Sequence, residues 1–183
     1  MTTHNIPVES EEKEITRKRK RMKPYIRRFL FKFLFVTFTA SIVFKFVYGI
    51  HVMHCNYMFP AIRDGDLLIT YKLEEPLTTE VVAYNVDGHN YIGRIIARGG
   101  DVVEIGDSGE LLVNGSRPAE EIFYPTISVQ DSSIAYPYTV TQGCVFILND
   151  YRMLDSPDSR VFGEISSKDL DGKMAFLLRR RGF

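Results

Sequence analysis

From Phe29 to Ile50 the chain reads FLFKFLFVTFTASIVFKFVYGI, 22 residues whose only charges are Lys32 and Lys45. At 1.5 Å per residue a helix of that length covers about 33 Å, enough to cross a hydrocarbon core of about 30 Å. Both lysines lie close to an end of the run, where a long side chain reaches the headgroup region. A cleaved secretory leader has a shorter apolar core of about 7–15 residues followed by a small-x-small site. No such site follows Ile50, and bulky His54 before Cys55 is a poor context for lipid attachment. The run is therefore expected to be an uncleaved transmembrane anchor.

Immediately before it, RKRKRMKPYIRR (17–28) holds eight basic residues, and the positive-inside rule keeps that side cytoplasmic. The expected organisation is a basic cytoplasmic tail over 1–28, a single-pass signal anchor over 29–50 and an extracellular domain over 51–183. Residues 1–16 are polar, Glu-rich and aperiodic, and no regular structure is expected there. The net charge of zero hides a division: 1–28 has nine Lys/Arg against four Glu, and the chain beyond residue 52 has 12 against 19. The folded part is thus acidic, at −7, and keeps no basic stripe of the kind that binds nucleic acid. With 45% apolar residues the chain holds enough for one ordinary core.

Cys55 and Cys144 permit one bridge or two free thiols. His51, His54 and Cys55 cluster, but no second ligand group follows at a zinc-like spacing, so neither metal nor cofactor is expected.

Beyond residue 52 short strand-like runs bounded by Gly and Asp replace any long helical period. DLLITYKL (66–73) is one. VVAYNV, Asp87-Gly88 and the run through YIGRIIA form a hairpin, since Asp-Gly suits a tight turn with positive φ. DVVEI and LLVNG around GDSGE make a second, and YPYTV with CVFIL across Thr141-Gln142-Gly143 a third. A short helix is expected near 166–170, and 116–137, with its prolines, as an excursion packed loosely on the sheets. The fold class is mainly β: an antiparallel ectodomain after one transmembrane helix.

Four stretches in order then resemble the type I signal peptidases, membrane-anchored serine proteases of the outer membrane face. YMFPAIRDGD resembles their first box, Ser-Met-x-Pro followed by Gly-Asp, with Met58, Pro60, Gly65 and Asp66 in register. GRIIARGGD resembles the second, Lys-Arg then Gly-Asp, with Arg94, Gly100 and Asp101. Val113 to Gly115 matches the turn that follows, and LNDYRMLDSPDSRVFG resembles the last box through Asp150, Arg152, Asp158, Ser159, Arg160 and Gly163. The resemblance implies a signal peptidase I-like β domain. It also places Tyr57 where the family has its serine nucleophile and Gly93 where it has its lysine base.

Those two exchanges fall on the chemistry. A hydroxyl attacks a peptide carbonyl only when a base in hydrogen-bond reach takes its proton, and a lysine does so when burial lowers its pKa. Glycine accepts no proton, and no lysine stands between Lys72 and Lys168. A phenol oxygen overshoots an oxyanion site laid out for serine and titrates near pH 10. No catalytic residue is therefore assigned. Cys55, Tyr57, Met58, Phe59, Pro60 and Gly93 are expected to border a degenerate groove for an extended peptide, with Tyr57 filling the space of the missing lysine. Gly65-Asp66 and Gly100-Asp101 read as turns. Arg152, Asp158 and Arg160, with Asp150, read as one charge network bracing the last box.

The pattern is most similar to the signal peptidase-like proteins of Gram-positive bacteria that lack the Ser-Lys pair and are encoded with pilus genes. That resemblance implies a non-catalytic assembly factor or chaperone in pilus polymerisation, with pilin subunits and/or a sortase as partners. The alternative is an active type I signal peptidase working with atypical residues, Tyr57 or Cys55 as nucleophile.

Overall fold

The computed structural model describes residues 8–120, 122, 124–129, 134–153 and 156–179. The chain divides into two compact units, Met1–Phe44 and Lys45–Phe183. The first is helical: α1 runs over Val8–Phe46 with Pro24 inside it. Within α1, Lys23–Phe46 is long and apolar enough to cross a membrane, and its apolar side chains are exposed, Phe29 at 68% and Phe31 at 72%. Residues 8–16, expected to lack regular structure, are helical. Glu, Lys and Arg are good helix formers, and adding turns to an existing helix avoids the cost of nucleation. Residues 1–7 lie outside the described residues.

The apolar run does not stay helical to Ile50. Its end, Tyr48–Val52, is a strand, β1, where aromatic and β-branched residues favour an extended backbone. The remaining strands are β2 (Leu67–Tyr71), β3 (Val81–Val86), β4 (His89–Arg98), β5 (Val102–Ile105), β6 (Leu111–Val113), β7 (Tyr138–Thr139), β8 (Cys144–Leu148), β9 (Ile165–Ser166) and β10 (Leu170–Leu178). Seven form one sheet in the order β1-β2-β10-β3-β4-β8-β9, and three form another, β6-β5-β7, with every pairing antiparallel.

The Asp87-Gly88 hairpin forms as its dipeptide dictates, with φ of 51° and 82° at the two residues and the Asn85 side-chain oxygen accepting the Gly88 N–H. The second expected hairpin is β5–β6. The third is not a hairpin. β7 pairs with β5 in the small sheet, whereas β8 pairs with β4 and β9 in the large one. Its connection, with Gly143 at φ 83°, carries the chain from one sheet to the other. A hydrophobic cluster of Ile96, Val103, Leu111, Val140, Phe146 and Leu148 fills the space between the sheets. The expected helix near 166–170 is a single 3-10 turn, Ser167–Asp169, and a one-turn helix α2 occupies Ser159–Phe162.

β3 and β4 are buried on both faces. Val82, Tyr84 and Ile95 pack with Ile147 on one side, and Val81 and Ile92 pack with Leu68, Met58 and Ile62 on the other. Each such side chain contributes about 1.5–3 kcal/mol when fully buried. At the far end of the sheet, register places Ile50, Ile69 and Phe176 in one cross-strand row and Val52, Leu67 and Leu178 in the next. Phe176 there is 63% exposed.

Candidate functional site: an aromatic cleft beside position 57

Between β1 and β2 the chain leaves the sheet and returns. Met53 N–H donates to Asp66 O at 2.9 Å and Gly65 N–H to Met53 O at 2.8 Å, closing the base of the loop. Met58 and Ile62, both at 0% exposure, pin it to the core, and the Ile62 N–H donates to Met58 O. With those two side chains turned inward, Tyr57 is half-buried and Phe59 and Pro60 are exposed. Gly65 supplies a φ of 81°, and the buried Asp66 carboxylate accepts the Arg63 N–H and faces Arg179 at 3.3 Å.

The described residues lining the cleft here are Asn56, Tyr57, Phe59, Tyr124 and Tyr151, around about 590 Å³. Tyr151 N–H donates to Tyr57 O at 2.8 Å, which fixes two of the ring-bearing residues to each other. The Tyr124 and Tyr151 rings meet nearly edge to face, centroids 5.0 Å apart at 77°. Pro60 instead borders an adjoining hollow of about 450 Å³ with Arg94, Glu120 and Asp150. Of the six residues named from sequence, Tyr57 and Phe59 line the aromatic cleft. Met58 lies in the core, and Cys55 packs at that core's edge.

Gly93 sits in the middle of β4 opposite Val82. A β-carbon added there would lie 2.5 Å from Ile147 Cγ2 and 3.3 Å from both Leu148 O and Tyr84 Cε1. The space above position 93 is thus filled from β3 and β8, and not by Tyr57 as expected. Tyr84 is fully buried, its hydroxyl donates toward Pro157 O at 3.5 Å, and burial pushes its pKa well above the usual phenol value. It stays protonated and is no base.

The other candidate bases are engaged elsewhere. Lys72 pairs with Asp171 at 2.6 Å, Lys173 with Glu74 at 2.8 Å and Glu80 at 3.3 Å, and Lys168 is exposed in the 3-10 turn. His51 Nε2 lies 3.0 Å from Asp171 Oδ2 and 3.4 Å from Thr70 Oγ1, with Thr70 at 0% exposure. One ring nitrogen serves both partners and the hydroxyl is sealed, so this is no relay to a nucleophile. Burial raises the Cys55 pKa, the Tyr57 N–H donated to its sulfur opposes that, and Asp64 adds to it. The result is a thiol and not a thiolate, the opposite of what a nucleophilic cysteine requires.

Around the cleft the boxes are braced by ion pairs. Arg94 Nε and Nη2 grip the two Asp150 oxygens at 2.8 and 2.7 Å, Nη1 donates to Thr79 O at 2.6 Å, and the Asp150 hydrogen bonds raise the guanidinium pKa against its burial. Arg160 Nη2 donates to Asp158 at 2.8 Å and Nη1 to Ile127 O and Arg152 O at 2.7 and 2.9 Å. Arg152 takes Glu120 as its carboxylate, at 2.5 and 2.6 Å. The sequence grouped Arg152, Asp158 and Arg160, with Asp150, in one network, of which Asp158–Arg160 is a pair in the structure. The structure gives each box residue its own partner, and Glu120 comes from the excursion. Ser159 Oγ accepts the Ile147 N–H, tying α2 to β8. Gly100, at φ 99°, and Asp101, whose carboxylate accepts the Arg98 N–H, form a turn.

The excursion is not loose where it is described. Glu120 is held by Arg152, Thr126 is 1% exposed with its N–H on Gly109 O, and Tyr124 walls the cleft. Asn56, Glu120, Tyr124 and Tyr151 as site residues were missed from sequence, and no periodicity marks them.

One helix long and apolar enough to cross a membrane precedes a two-sheet antiparallel domain, and among its described residues Tyr57 and Gly93 stand at the first-box and second-box positions. Residues 25–178 match the family described as signal peptidase, peptidase S26, and the chain belongs to that family. It is 27% identical over 146 residues to the signal peptidase I of Bacillus caldolyticus, covering 72% of this chain and 79% of that protein. To the signal peptidase IB of Staphylococcus aureus it is 29% identical over 154 residues, 74% of this chain and 80% of the other. A crystal structure of a signal peptidase I from Enterococcus faecalis V583 aligns with a TM-score of 0.46 at 23% identity, over 56% of this chain and 98% of that one.

Proposed function

We propose that this chain is a non-catalytic S26 homologue, held in the cell membrane by its apolar helix with the basic end cytoplasmic, that assists pilus polymerisation on the outer face by binding pilin subunits and/or a sortase. The observation that carries the reading is the contrast at the centre. Arg94–Asp150, Arg152–Glu120 and Asp158–Arg160 keep the frame, while position 93 offers no amine and Lys72 and Lys173 are committed to carboxylates. A frame of buried pairs specifies geometry more than it adds stability. What the frame still positions is the aromatic cleft, a surface suited to recognition.

The test has two arms. Purified full-length protein in detergent micelles is expected to leave a preprotein with an intact signal peptide uncut. In cells, Tyr57→Ala together with Tyr151→Ala is expected to shorten or abolish surface pili without changing the amount of protein in the membrane. The names borne by the relatives favour a second reading, a signal peptidase with unusual catalytic residues. Cleavage that vanishes on Tyr57→Phe or Cys55→Ala would establish that reading in place of the first.

A further inference from the structure

We infer that the aromatic cleft takes an organic cation, the ammonium group of a lysine side chain on a polypeptide partner. The inference rests on the recognition role proposed above and specifies its chemistry. Four of the five described lining residues, Tyr57, Phe59, Tyr124 and Tyr151, present aromatic rings, and the fifth, Asn56, has its side-chain oxygen occupied by the Asp64 N–H at 3.0 Å. An aromatic face carries negative partial charge and attracts an ammonium within about 6 Å of it. Tyr124 and Tyr151 stand at 77° to each other, so they present two walls of a corner and not one flat surface. The backbone bond from Tyr151 N to Tyr57 O at 2.8 Å holds the main chain of a third aromatic residue beside that corner.

Two features point to a cation over an aliphatic side chain. None of the described cleft-lining residues is itself basic, and because the Arg63 guanidinium already lies 5.5 Å over the Phe59 ring, the ammonium is taken by the corner of Tyr57, Tyr124 and Tyr151. The chain beyond residue 52 has 12 Lys/Arg against 19 Asp/Glu, a net charge that favours association with a basic partner. The volume of about 590 Å³ admits a long side chain with parts of its neighbours, which favours a residue within a chain over a small free amine.

The experiment titrates the full-length protein, in maltoside micelles free of choline headgroups, with end-capped Ala-Ala-Lys-Ala-Ala and with the same peptide carrying norleucine in place of lysine. Binding is read from the ring signals of isotope-labelled tyrosine. The lysine peptide is expected to bind about 3- to 30-fold more tightly than the norleucine peptide. Tyr151→Leu, which keeps the bulk and removes the ring, is expected to erase the difference, while Tyr151→Phe keeps it. Near-UV circular dichroism confirms that both variants are folded. Equal or tighter binding of the norleucine peptide overturns the inference and leaves the recognition role standing. Failure of both peptides to bind, or selective binding of choline over the lysine peptide, overturns it as well. Preprotein cleavage by the same preparation overturns the recognition role itself.

Discussion

At the scale of single residues the decisive one is Gly93, because it has nothing to offer a proton and no space to grow into. A methyl group there meets Ile147 Cγ2 at 2.5 Å. Gly93→Ala is therefore expected to destabilise the domain by about 1–3 kcal/mol, the usual cost of overpacking, and Ile147→Leu in the same chain, which removes the Cγ2 branch at nearly constant volume, to return part of it. Denaturant titration followed by tyrosine circular dichroism reads both, since the chain has no tryptophan. Cys55 gives a second residue-scale outcome. With its pKa raised above that of an ordinary thiol, chiefly by burial, it is expected to be alkylated by iodoacetamide at about pH 8 more slowly than free cysteine. Mass spectrometry of the modified peptide distinguishes it from Cys144.

Among the elements, α2 and the end of β8 are coupled through Asp158. Its carboxylate caps α2 by accepting the Arg160 N–H at 2.9 Å, accepts the Asn149 N–H at 3.1 Å and pairs with the Arg160 guanidinium. Asp158 and Arg160 side chains are 0% and 1% exposed. Arg160→Met strands a buried carboxylate and frees the carbonyls of Ile127 and Arg152, so a loss of about 3–5 kcal/mol is expected in the same denaturant titration. A loss under about 1 kcal/mol would mean that the pair is hydrated in solution. The hairpin β3–β4 was legible because Asp87-Gly88 writes its turn locally. β10 was not anticipated. It begins Leu-Asp-Gly, with Gly172 at φ 102°, and its place between β2 and β3 depends on partners about a hundred residues away.

For the molecule as a whole, pH enters through His51. Burial is the largest influence and lowers its folded pKa below 6.5, against Asp171, with Lys72 adding to the lowering. As pH falls through the unfolded value, the unfolded chain takes up a proton that the folded chain does not, so stability declines until the folded pKa is passed and then levels. The denaturation midpoint is expected to drop between about pH 7 and about pH 5 by more in the wild type than in His51→Gln, which removes this contribution. Parallel curves for the two proteins would contradict it.

The apolar run, the basic flank, the β class and the order of the four boxes were fixed by the chain's own pattern, because hydrophobic length, charge and turn dipeptides act over a few residues. That position 93 carries no side chain was readable too. Only the tertiary structure decided which partners the box charges take, that β7 and β8 part into different sheets, and that Tyr124 joins Tyr57 and Tyr151 in one cleft. Those outcomes depend on which distant side chains share a buried space, and such a choice is settled by packing and desolvation across the whole domain.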